Sequence, residues 1–178
     1  MKIPVSSDLI LRPFENSDAP AFVEAVRESA RSVGAWLPWC HARYSLAEAE
    51  GWLDLCQQYW QMDFAYEYGI FSLQDNSVLG GIAISDINKE HHFANIGYWV
   101  RDSHQRQGIA VQCVQAVATF GFNDLRLWRL EIVAALSNRP SRRVAEKAGA
   151  VFEGIARQRL SIRGRPHDAA MYSLIAAS

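Results

Sequence analysis

The chain has 178 residues, 49% apolar and 21% charged, which suits one folded domain whose core needs no metal or disulfide staple. A formal net charge of −1 excludes a general nucleic-acid binder, and three scattered cysteines (Cys40, Cys56, Cys113) exclude a disulfide framework or a zinc cluster. No apolar run is long enough to cross a bilayer, and Met1 to Val5 lack the apolar centre of a signal peptide, so a soluble cytoplasmic protein with reduced thiols is expected.

Leu9-Ile10-Leu11-Arg12, stopped by Pro13, reads as an edge strand. Ser17-Asp18 offers an N-cap to a first helix that shows Phe22, Val23 and Val26 on one face. A ring-rich loop, Trp36-Leu37-Pro38-Trp39, follows. Ser45 and Glu48 form a capping box for a second helix, along which Trp52, Leu53, Cys56, Tyr59 and Trp60 recur. The pattern then changes to short strands joined by polar turns: Tyr68 to Leu73, Val78 to Ile87 and about Phe93 to Val100, an antiparallel meander. A helix from about Gly108 to Phe122, a strand from Arg129 to Ala135, and a helix opened by Asn138 and ended at Gly149 come next. Strands over Val151 to Arg157 and Ala169 to Ile175 close the chain. The order β-α-α-β-β-β-α-β-α-β-β, with no repeat or linker, predicts one mixed α+β domain over residues 1–178. His91 and His92 are poorly placed to share a metal, because strand neighbours point to opposite faces, and no metal site is expected.

The segment most suggestive of chemistry runs from Val100 to Ala110, between a strand and a helix. The first amides of a helix lack intrahelical acceptors and carry the positive end of its dipole, which suits a pyrophosphate. Gly108 lets the main chain approach phosphate oxygens and Arg106 adds a full charge. The G-K-[ST] ending of a Walker loop and the G-x-G-x-x-G of a dinucleotide fold are both absent. An ordinary strand-to-helix connection remains the alternative for this stretch taken alone.

Gln105-Arg106-Gln107-Gly108-Ile109-Ala110 resembles the Q/R-x-x-G-x-G/A signature of the GCN5-related N-acetyltransferase (GNAT) superfamily. Ile96-Gly97-Tyr98-Trp99-Val100 before it, Asn138-Arg139-Pro140-Ser141 and Glu146-Lys147-Ala148-Gly149 after it, and Leu11-Arg12-Pro13-Phe14 at the start extend the likeness over nearly the whole chain. The nearest branch is the RimJ/RimL type, which acetylates the N-termini of ribosomal proteins. The resemblance implies the GNAT acyl-CoA acyltransferase fold, a mostly antiparallel twisted sheet splayed into a V between two parallel strands, and acetyl-CoA as cosubstrate.

It further implies that main-chain groups near Trp99 and Val100 pair with pantetheine, that the amides of Gln105, Arg106, Gln107, Gly108, Ile109 and Ala110 hold the pyrophosphate, and that Asn138 caps its helix beside the pantetheine arm. The tyrosine acid found in many members is replaced here by Ala145, and Ser141 stands as the substitute acid. The glutamate that often precedes I-G-Y-W is Asn95, whose amide cannot take a proton. Glu131 is the first alternative base, with pairing to Arg129 as its purely structural reading. Glu67, Asp86, His91, His92 and a water relay stay open.

The acceptor is expected along Trp36-Leu37-Pro38-Trp39 and His41, with most other rings filling core. The implied acceptor is the N-terminal α-amine of a protein or peptide. A small amine, or cofactor binding without turnover, are the competing readings. Neither nucleic acid nor membrane is expected as a partner, and a homodimer belongs to the branch.

Overall fold

The computed structural model describes residues 1–176. Along the chain lie β1 (Ile3–Pro4), β2 (Leu9–Arg12), α1 (Ala19–Ser29), α2 (Leu46–Gln61), β3 (Tyr66–Ser72), β4 (Val78–Asn88), β5 (Phe93–Val100), α3 (Ile109–Asn123), β6 (Arg129–Ala135), α4 (Arg139–Lys147), β7 (Val151–Ile162) and β8 (Arg165–Ile175). The strands form one sheet in the order β1-β2-β3-β4-β5-β6-β8-β7. Every neighbouring pair is antiparallel except β5 and β6.

Strand alternation divides the core into two layers. Tyr68, Ile70, Ile96, Val100, Leu130 and Ile132 face α3 and α4. Phe71, Val78 and Trp99 face α1 and α2. α2 starts where the sequence places it: the Ser45 hydroxyl accepts from the Glu48 amide at 3.2 Å, and Glu48 answers by accepting from the Ser45 amide at 2.8 Å.

The structure departs from the sequence reading at both ends of the sheet. β2 is not an edge, because the two-residue β1 pairs outside it. The last hairpin is longer than expected, with β7 reaching Ile162 and β8 beginning at Arg165. Polar residues such as Arg157, Gln158 and Arg159 hid its length, since the strand is exposed through most of its course and carries little apolar alternation. Register shifts between Phe152 and Gly154 and between Ala156 and Leu160 bend it as well.

Asp18 differs too. Its carboxylate does not cap α1; it receives Arg12 Nη1 at 2.7 Å and Nη2 at 2.8 Å, and the Glu15 amide at 2.8 Å. Both residues are buried, and the guanidinium carbon lies 3.5 Å from the centroid of Phe71. This fork ties β2 to the entry of α1. Removing one member of such a pair strands a buried charge, so Asp18→Ala is expected to cost about 3–5 kcal/mol, measured by urea unfolding.

Candidate active site

β5 and β6 pair over only three positions: Phe93 with Arg129, Ala94 with Leu130, and Asn95 with Glu131. Beyond Asn95 they part, while β5 stays bonded to β4 and β6 to β8. A wedge opens whose two walls are the unpaired inner edges of neighbouring strands. The Arg101 amide donates to Leu79 O on β4 at 2.7 Å. Antiparallel alternation therefore turns the main chain of Trp99 toward β4 and that of Tyr98 and Val100 into the wedge. Trp99 stands in its wall through its indole, which packs against Phe22 and Trp39 at centroid distances of 5.8 and 5.7 Å.

At the wide end of the wedge the chain makes a short 3-10 turn (Asp102–His104) and then enters α3. Arg106 and Gly108 both take left-handed conformations, at φ 62° and 81°. Gly108 is the N-cap of α3 and among the described residues no side chain caps that end, so the first amides of a 15-residue helix point outward without a partner side chain. A Cβ on Gly108 would meet only Gln112 Nε2, at 3.8 Å. The glycine answers to its φ and to the open ground above the helix end, not to crowding.

The turn is anchored to α1. Arg101 reaches Glu28 and Glu24, each at 2.6 Å; the Ser103 amide donates to Glu28 at 2.8 Å and the Asp102 amide to Ser29 at 3.1 Å. Burial opposes the charge on Glu28, but hydrogen bonds from Ser103 and the Arg101 pair outweigh it and hold its carboxyl down at about 2. The Gln105 side chain crosses back to Val100 O and to Ser32, each at 3.1 Å, which fixes the mouth of the wedge. This cradle fits a diphosphate, and the unpaired edges of β5 and β6 fit the amides of a pantetheine arm.

The far wall is completed by α4. Asn138 caps it, Oδ1 accepting from the Ser141 amide at 3.2 Å. Tyr98 spans the wedge from β5: its hydroxyl donates to Ser141 O at 2.8 Å and lies 3.2 Å from Ser141 Oγ. Burial pushes the Tyr98 hydroxyl up to about 12, so it remains a proton donor. The sequence singled out Ser141 and missed its partner; I-G-Y-W placed Tyr98 beside the cleft, but nothing local shows which helix its hydroxyl reaches.

The structure brings Ser141, Asn138, Val100 and the Gln105–Ala110 loop around one wedge and sets Glu131 apart from them. Glu131 projects from the opposite face of the sheet, where Arg129 Nε holds it at 2.8 Å and also pairs with Glu153. The pairing follows from two same-face positions on one strand. Asp86, His91 and His92 belong to the β4–β5 turn region at the closed end of the wedge, with His92 stacked 4.3 Å from Trp128.

The acetyltransferase (GNAT) domain pattern matches residues 8–151. The chain belongs to the GNAT acetyltransferase family. The GNAT chain is 30% identical to the "Putative ribosomal N-acetyltransferase YdaF" of Bacillus subtilis, over 96% of its own length and 93% of the relative's. Its structure resembles RimL, a ribosomal L7/L12 alpha-N-protein acetyltransferase solved with coenzyme A, with 30% identity, 98% of each chain covered and a TM-score of 0.89. A Salmonella typhimurium acetyltransferase that modifies the N-terminal serine of 50S protein L7/L12 matches with 29% identity, a TM-score of 0.89, and 99% and 100% of the two chains covered. Acetyl-CoA is accordingly the acyl donor of this GNAT enzyme, and its fold is the mixed α+β sheet expected from the sequence.

Two measurements check the cradle. Gly108→Val places a β-branched residue at φ 81° and a side chain over the helix end, so coenzyme A affinity is expected to fall at least tenfold in calorimetry, with a loss of about 1–2 kcal/mol in stability. Glu28→Gln removes a depressed carboxyl, whose stabilisation is complete above its unfolded pKa and vanishes as pH falls through about 2. The variant is therefore expected to melt below the parent at pH 7 and to converge with it on acidification toward pH 2.

Proposed function

We propose that this acetyltransferase is a cytoplasmic enzyme, one catalytic domain over residues 1–178, that acetylates the N-terminal α-amine of a protein, with ribosomal proteins as the substrate class. What supports this most is where the likeness to RimL-type enzymes extends. It covers 98% of the chain, so it takes in the α1–α2 loop and the β7–β8 hairpin as well as the cofactor cradle. Those two segments meet: Arg163, at the hairpin tip, donates to Gly34 O at 2.9 Å. Together with Trp39, 40% exposed beside Trp99, they border the α1/α2 face of the wedge, and His41 on the same loop pairs with Glu48 in the first turn of α2. Rings with polar tips suit an extended peptide end.

In this reading the amides of Ile109 and Ala110, with the main chain of Gln105, Arg106, Gln107 and Gly108, hold the diphosphate. The main chain of Val100, beside Trp99, and the cap residue Asn138 line the pantetheine path. Ser141 protonates the departing sulfur, steadied by Tyr98. Glu131 stays in its pair with Arg129.

Release of coenzyme A thiol from acetyl-CoA tests the acceptor. Peptides beginning with Ser or Ala are expected to be turned over well above polyamines, amino acids or aminoglycosides; turnover of the small amines alone overturns the proposal. Ser141→Ala is expected to lower kcat about 100-fold while the KM for acetyl-CoA stays within a few-fold, and an unchanged kcat removes Ser141 from the chemistry.

A further inference from the structure

A polar file crosses the α1/α2 face of the sheet at the apex of the wedge. Glu67 on β3 stands opposite Ala83 on β4, and Ala83 opposite Gly97 on β5. One same-face step along, Asn95 stands opposite Ser85 on β4 and Glu131 on β6. Because Asn95 and Glu131 are the last paired residues before the strands part, Asn95 marks the inner end of the wedge. Gly97, exposed and without a side chain, and Ala83, buried and with a single methyl, put no bulky strand side chain between Glu67 and that point.

Two groups in this file lack a partner. Asn95 Oδ1 is buried and accepts no hydrogen bond among the described residues. A buried amide oxygen in that state calls for a donor. The Glu67 carboxylate is affected by burial alone, with no ion pair or hydrogen bond contributing among the described residues; its main-chain oxygen is engaged by the Trp60 indole at 2.9 Å. We propose that Glu67 takes the proton that the attacking amine must lose, and that Asn95 Oδ1 holds that amine at the point where the strands part. The assignment concerns the amine proton and not the rest of the acceptor, so it applies to a peptide or a small amine alike.

Burial pushes the Glu67 carboxyl up to about 7. A peptide α-ammonium loses its proton at about 8, so transfer between the two is nearly balanced at neutral pH. From α2 the titratable group facing Glu67 is the Cys56 thiol, itself pushed up by burial. From β4 the same-face neighbours Gly81, Ala83 and Ser85 are uncharged, and along the file the charged group is Glu131, engaged by Arg129. Two strand spacings, about 10 Å, separate the main chains of Glu67 and Gly97, a span that the glutamate side chain and one water bridge.

The ammonium gives one proton to the Glu67 carboxylate, and the amine lone pair then forms the C–N bond at the thioester carbonyl. The C–S bond breaks with its electron pair going to sulfur. The second proton leaving nitrogen reaches that sulfur by way of the Ser141 hydroxyl, which gives up its own proton and is refilled. The products are the amide, the thiol of coenzyme A and a protonated Glu67, which resets to solvent.

The test is Glu67→Gln in the full chain, assayed by thiol release with two acceptors whose amines differ in pKa. Expected are an approximately 100-fold fall in kcat, an unchanged KM for acetyl-CoA, and loss of the acidic limb near pH 7 that does not move with the acceptor. A raised carboxyl pKa destabilises the folded chain increasingly as pH climbs from 4.5 through about 7. Glu67→Gln is therefore expected to melt above the parent at pH 8 and level with it at pH 4, which also confirms that it folds. Asn95→Ala is expected to raise the acceptor KM about tenfold and to leave that limb in place. An unchanged rate and pH limb in Glu67→Gln overturn the assignment of the base, as does a Glu67 carboxyl titrating near 4.5 in the 13C-glutamate NMR spectrum of the parent. An unchanged acceptor KM in Asn95→Ala overturns the holding role.

Discussion

The parting of β5 and β6 after three paired positions is the constraint on which the site depends. Main-chain amides and carbonyls buried within a sheet normally find partners, and a wedge leaves two rows of them without any. The chain tolerates this because each wall is held from behind, β5 by β4 and β6 by β8. A partial internal remedy is visible at the mouth, where the Gln105 side chain satisfies Val100 O. What remains is a slot lined with alternating donors and acceptors, matched to a ligand arm that carries amides of its own.

Everything at the rim of that slot is fixed by contacts from outside it. The cradle loop is clamped to α1 through Arg101, Glu24, Glu28 and Ser29, so the left-handed turn at Arg106 and Gly108 does not have to be stabilised by the ligand. Preorganisation of this kind lowers the ordering cost of binding a flexible, highly charged molecule. α4 is positioned in the same manner: Arg142 bonds Leu136 O and the Tyr172 hydroxyl, which itself donates to Glu146. Arg142 thus belongs to the scaffold that aims the helix and Ser141.

Much of the fold was legible because it is written locally. The capping box at Ser45 and Glu48, the period-2 runs of the meander and the glycine before α3 are signals contained within a few residues. What escaped was non-local or polar. The extension of β7 carries few apolar positions to mark it. The Tyr98–Ser141 contact joins residues 43 apart and the Arg163–Gly34 contact residues 129 apart, and neither leaves a trace in local pattern. Asp18 looked like a helix cap for the same reason: its true partner, Arg12, lies on a strand whose course sets the pairing. For the site, spacing and resemblance pointed to the loop that enters α3, since main-chain chemistry depends on backbone shape, which glycine reports. They say less about the titratable groups, because whether a glutamate is a base is decided by what faces it.

Glu131 and Glu67 make that point in one sheet. Both are glutamates on the same face, within the same file across the wedge apex. Arg129, two residues before Glu131 on the same strand and the same face, reaches it directly, so the charge of Glu131 is spoken for. Two residues on from Glu67 along its own face is Gly69, and two strands over is Gly97; neither offers a cation. Burial then acts unopposed and raises the carboxyl toward neutrality. On this face the strand bearing arginine holds its glutamate in an ion pair, whereas on the strand bearing glycine burial alone acts on Glu67.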